Sequence, residues 1–125
     1  MKSKNVIYSL IAVIFMLLLA INVWRNEPKR KEAFDRTPEH LVYTRHALCR
    51  MDCRMISKEE IQEILRKGVI NFNRSNRGDR PCPTFALQGR TSSGESLRII
   101  FAQCREETKV VTCYNLEKEY SCDCP

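Results

Sequence analysis

From Asn5 to Trp24 (NVIYSLIAVIFMLLLAINVW) the chain runs twenty residues without a charge, and no apolar stretch of that length recurs after it. At helical rise such a run covers roughly the 30 Å hydrocarbon core of a bilayer, and Trp24 stands where an interfacial aromatic belongs. A transmembrane helix is therefore expected here, with residues 1–24 as a membrane anchor. The alternative is a cleaved signal peptide. The run is longer than an ordinary h-region, however, and continues as Trp-Arg-Asn-Glu-Pro with no small-residue cleavage site, so the uncleaved anchor is favoured.

Beyond the anchor the periodicity shortens. Arg25 to Arg36 mixes both charges with little apolar content and is expected to be a solvated tether. A folded domain is expected over residues 37–125, with Leu41-Val42-Tyr43 as a short strand or staple. Thr44 is an expected N-cap for a helix from Arg45 to about Met55. On that helix Ala47, Leu48, Met51 and Met55 share an apolar sector, and His46, Cys49, Arg50 and Cys53 lie nearly opposite. Ser57 and Glu60 form a capping-box pair for a second helix. Ile56 and Ile61 are its staple, Ile64 and Leu65 continue its buried stripe, and Gly68 is expected as a left-handed stop.

The period then drops to two. Val69 onward begins as a strand or edge and is expected to become a loop through Pro83, basic because Arg74, Arg77 and Arg80 face one Asp79. Phe85–Gln88, Ser96–Ala102 and Lys109–Tyr114 read as strands joined by tight turns. The expected fold is α+β: an N-terminal transmembrane helix, then two short helices packed on a small antiparallel sheet of three to four strands.

Charge changes this picture little. Residues 1–36 carry seven Lys and Arg against three acids, and the remainder fourteen against twelve, so most of the net +6 is juxtamembrane. There it reads as a topology or lipid-contact signal, and nucleic acid is a weakly supported partner. The cations after the span would put the domain in the cytoplasm by the positive-inside rule. The cysteine load and the form of an N-in signal anchor favour the periplasmic or extracytoplasmic side.

Seven cysteines in so small a domain change it more. Six can pair, and the favoured arrangement staples the first helix (Cys49 or Cys53) to the tail (Cys122 or Cys124) with one cysteine left free. Cys104 and Cys113 also suit small buried hydrophobes, Cys113 especially. The competing chemistry is zinc, with His46, Cys49 and Cys53 on one helical face and a fourth ligand from Cys113, Cys122 or Cys124. No Cys-x-x-Cys spacing supports it, so no cofactor is expected, with zinc as the alternative. For catalysis, His46 as a proton acceptor with Arg50, Arg54 and Arg98 as phosphate-holding cations would suit RNA cleavage. A structural histidine with ion-paired arginines is the favoured reading.

The run HALCRMDCRMISKEEIQEIL, then Gly68, FALQG, LRIIFA and VVTCYN, resembles the bacterial family catalogued as domain of unknown function 4258, over roughly Tyr43 to Asn115. The likeness is closest to its cysteine-rich members with one apolar N-terminal segment and a Cys-x-Cys-Pro-like tail. That family has no established activity. Its helix-helix-sheet order is similar to RelE-like and BrnT-like ribonuclease toxins, an analogy that implies His46, Arg50 and Arg54 as residues to test. Taken together, the sequence points to an anchored binding or accessory module and not an enzyme. An RNA-cleaving or RNA-binding toxin-type domain and a redox- or zinc-responsive domain are the alternatives, and no protein partner is named.

Overall fold

The computed structural model describes residues 2–25 and 34–125, which fall into two compact units, 1–33 and 34–125. The first is helix α1 (Lys2–Arg25), whose apolar side chains are exposed along its length and which is long and apolar enough to cross a membrane. The tether expected at Arg25–Arg36 lies mostly outside the described residues.

The second unit is a five-stranded sheet with two helices on one face. In chain order it contains β1 (Leu41–Tyr43), α2 (Arg45–Cys53), α3 (Lys58–Lys67), β2 (Val69–Asn76), β3 (Thr84–Arg90), β4 (Ser96–Gln103) and β5 (Thr108–Asn115). The sheet order is β1-β5-β4-β3-β2. The α+β class holds, but the sheet has five strands where three to four were expected, and it is mixed, because β1 runs parallel to β5. Both differences have the same origin: neither added strand carries a clean period-two pattern. β1 is three residues long and is recruited by pairing Leu41 to Tyr43 with Thr108 to Val110. β2 extends into the polar stretch expected as loop, since its backbone pairs with β3 at both ends around a bulge between Asn71 and Asn76. Within that bulge the Ser75 hydroxyl accepts from the Ala86 N–H, doing the work of a missing ladder carbonyl.

Alternation along β4 places Leu97, Ile99 and Phe101, all fully buried, under the helices. Their partners across the ladder, Leu87, Phe85, Val110 and Cys113, share that face. Val110 and Cys113 are three apart, which a regular strand would put on opposite faces. The bulge opposite Ile100 and Phe101 absorbs Val111 and resets the parity. From above, Ala47 and Met51 of α2 and Ile61, Ile64 and Leu65 of α3 complete the core, with Ile56 between them. Phe34 closes one end, its ring centroid 5.1 Å from Phe85 and 5.9 Å from Phe101.

The helix ends follow local chemistry. In α3 the Ser57 hydroxyl accepts from the Glu60 N–H and the Glu60 carboxylate accepts from the Ser57 N–H, the reciprocal box. Burial alone would raise the Glu60 carboxyl, but hydrogen bonds from Ser93, the Ser57 backbone and Thr91 outweigh it and hold it below the usual carboxylate range. The same bonds fasten the β3–β4 turn to the helix, as does Glu63, which accepts from the Ser92 N–H at 2.9 Å. At the other end Arg36 donates to the carbonyls of Leu65, Arg66 and Gly68, a cation on the negative pole of the helix.

Two termini depart from expectation. Gly68 is not a left-handed stop: its backbone is extended at φ −64° and ψ 153°. Glycine is required there by closeness, since a Cβ would stand 2.5 Å from the Ile64 carbonyl oxygen. The first helix stops at Cys53, with Arg54 as its cap, and does not reach Met55. Met55 takes the left-handed position itself (φ 56°), letting the Ile56 N–H reach back to the Met51 carbonyl at 2.9 Å. Its side chain is 82% exposed, and Leu48 is 43% exposed, so neither joins the stripe expected of them.

These observations predict opposite effects from two glycine exchanges. Gly68→Ala should destabilise the domain by about 1–3 kcal/mol through overpacking, and Met55→Gly should stabilise it by up to about 1 kcal/mol by relieving left-handed strain. Urea unfolding of the full chain in detergent, followed by circular dichroism, checks both; equal signs for the two would refute the assignment.

Candidate functional site

Helix α2 is the element on which the candidate residues converge. Thr44 caps it, accepting from the Ala47 N–H at 3.1 Å and donating to the Val110 carbonyl at 3.1 Å, so the cap also fixes the helix to β5. Ala47 is fully buried, and its methyl group is small enough to let the helix lie close to the strand. The opposite face carries His46, Cys49, Arg50 and Cys53, and the end of the tail from Ser121 to Pro125 lies along it.

Two disulfides make that contact. Cys49 pairs with Cys124 and Cys53 with Cys122, with Cα separations of 5.8 and 5.9 Å. The spacings match physically: four residues of helix rise about 6 Å and two residues of extended chain cover about 6.6 Å. The tail can therefore run alongside the helix with both bridges made. Each closes a long loop, worth about 4 kcal/mol by chain entropy if it acted alone. The second adds much less, because the first has already brought the segments together.

The third bridge that six paired cysteines require is Cys82–Cys104, a pairing the sequence alone did not specify, and Cys104 is thereby a bridge member and not a small buried hydrophobe. The signal for it lies in the hairpin register. Thr84 pairs with Ala102, and the two cysteines stand two residues further out on the same pair of strands. Cys113 is the one free cysteine and is fully buried, so it supplies neither a bridge nor a ligand at the surface. Burial pushes its thiol up to about 11, against the opposing pull of Arg54 and Arg50.

The candidate catalytic residues are dispersed. His46 is half-buried, its Nδ1 3.2 Å from the Pro125 oxygen. Arg50 lies half-buried beside the tail, and its Nε is buried with no hydrogen-bond partner. Arg54 turns around the open edge of β5, donates to the Cys113 carbonyl, and sets its guanidinium carbon 4.8 Å from the Tyr114 ring centroid. Arg98 is on the other face of the sheet, where its Nε donates to Gln88 at 3.1 Å. Tyr114, the ring under Arg54, is the cross-strand partner of Arg98. His46 and Arg98 do not share a cleft. As for zinc, the bridges consume the Cys49 and Cys53 thiolates, and no group of three His, Cys, Asp or Glu suited to a metal occurs among the described residues.

The raised Cys113 thiol has a pH consequence. The folded state holds its proton while the unfolded chain releases it from about pH 9, so this contribution to stability is complete below pH 9 and lost as pH rises toward 11. Native protein should accordingly resist iodoacetamide at pH 8 and react at one thiol once unfolded. Rapid labelling of the native state would show Cys113 to be accessible. A second expectation concerns Arg54: replacement by Ala should cost about 1–3 kcal/mol, since a buried carbonyl loses its donor and Tyr114 its cation, whereas His46→Ala should stay within about 0.5 kcal/mol. Paired denaturation curves check this difference.

A family model described as Domain of unknown function (DUF4258) matches residues 43–115, which run from the end of β1 through all of β5. No curated protein and no solved structure matches the chain. The analogy to RelE-like and BrnT-like toxins gains no support from these comparisons. The matched span contains α2, α3 and the four antiparallel strands but neither α1 nor the cysteine-bearing tail, and over that span the chain belongs to the DUF4258 family.

Proposed function

We propose that this chain is a single-pass membrane-anchored binding module, held by an uncleaved α1 on the oxidising, periplasmic side of a bacterial membrane, and that it acts by contact and not by catalysis. The observation that carries this reading is the pair of bridges from α2 to the tail. Six of the seven cysteines are bridged, an arrangement that persists in oxidising compartments and not in a reducing cytosol. It strengthens the cysteine argument for orientation against the positive-inside argument. The bridges also lay the tail across the helix face that bears His46 and Arg50, and the remaining candidate cations stand elsewhere, which favours a rigid surface over an acid–base centre.

A second reading retains some support. Arg54 over the Tyr114 ring, with Arg98 paired to Tyr114 across the ladder, is a basic, aromatic grouping of the sort that stacks a base and holds its phosphate. An RNA-binding domain would need access to RNA, and therefore the opposite orientation. A zinc- or redox-responsive domain would need the four α2 and tail cysteines as thiols.

One preparation separates the three. Native membranes carrying the full chain should retain it through alkaline carbonate washing, and alkylation under denaturing, non-reducing conditions should modify one of the seven cysteines. Seven modified cysteines would remove the basis for the extracytoplasmic reading, and five, restored to one by oxidant and protected by zinc, would favour the metal-responsive one.

A further inference from the structure

We propose that strand β2 and the loop following it form a docking surface for an anionic lipid bilayer, with Phe72 entering the interface and Arg74, Arg77 and Arg80 meeting the phosphates. This rests on the membrane-anchoring reading and adds the surface by which the domain lies on the membrane.

β2 is an edge of the sheet and exposes two large apolar side chains, Val69 at 71% and Phe72 at 58%. The Arg77 guanidinium lies 5.5 Å from the Phe72 ring centroid, so the apolar and cationic parts are one patch. Arg74, on the same strand, and Arg80, in the loop that follows, are also exposed, and none of the three arginines makes an ion pair among the described residues. The nearby acid does not neutralise them: Asp79 is held within its own turn, accepting from Asn76 and from Thr84 at 2.6 Å each. An exposed aromatic ring with one guanidinium over it and two more on the same strand and loop is complementary to a headgroup region, which is anionic outside and apolar within.

Two further observations choose a bilayer over a peptide. An extended acidic segment would dock by adding a strand to β2, but the bulge between Asn71 and Asn76 breaks the straight row of amides and carbonyls that strand addition requires. The patch also lies where the chain joins the domain. Phe34 packs against Phe85, and Phe85 adjoins Thr84, the partner of Asn76 at the root of the basic loop. From Arg25 to Phe34 the chain spans at most about 30 Å when fully extended. A surface near the tether's point of attachment is therefore within reach of the headgroups.

The test uses the full chain carrying Trp24→Phe and Phe72→Trp, so that the only indole reports on position 72. It is reconstituted into vesicles of phosphatidylcholine with brominated acyl chains, with or without phosphatidylglycerol. Quenching of the indole is expected in the phosphatidylglycerol vesicles, with the docked-to-undocked ratio falling about fivefold for each of Arg74→Gln and Arg77→Gln and falling again at high salt. Protein that resists alkaline extraction yet shows the same low quenching in both vesicle types overturns the docking and leaves the anchor standing. Protein extracted by alkali but quenched in anionic vesicles alone overturns the anchor and leaves the docking standing. Arginine-dependent binding of poly-glutamate or of an RNA oligomer, without bilayer quenching, assigns the patch to another occupant and overturns the proposal.

Discussion

The register of the β3–β4–β5 ladder is the constraint on which the rest of this domain depends. A slip of one residue in an antiparallel pair exchanges the two faces of a strand. In the observed register Leu97, Ile99 and Phe101 all face the helices, and Arg98 faces away toward Gln88. The same register brings Cys82 and Cys104 opposite one another and makes Tyr114 the neighbour of Arg98. Core, cross-link and polar face are thus set together, which is why no part of the candidate site can be moved independently.

The bridges then supply what a small core does not. A unit of this size buries little apolar surface, and its sheet ends in a three-residue strand on one side and a bulged strand on the other. Cys82–Cys104 closes the sheet where the β2–β3 loop leaves it, and the two bridges from α2 hold a tail with no helix or strand of its own. The same tail covers the helix face that carries most of the chain's candidate chemistry. Stability and accessibility are therefore coupled, since the bridges that pin the tail are the ones that hold it over that face.

Family membership fixes less than it first suggests. The matched segment holds the sheet and both packed helices, whereas α1 and the tail lie outside it. The features that favour an anchored role consequently lie outside the matched segment, and membership over that segment does not carry them.

Sequence by itself determined what depends on near neighbours. The apolar run of α1, the capping box of Ser57 and Glu60, the stripe of Ile61, Ile64 and Leu65, and the alternation of β4 are all written in residues within one or two turns of each other. Tertiary structure decided what depends on partners far along the chain. β1 exists because β5 offers it a parallel edge, and β2 continues through polar residues because Ser75 mends its ladder. Met55 ends α2 with no glycine to mark the stop, because the Ile56 amide reaches back to Met51. The candidate cluster dispersed for the same reason: helical spacing shows which residues share a face of α2, but only the sheet's register shows that Arg98 lies on the far side of it and that Arg54 reaches around its edge.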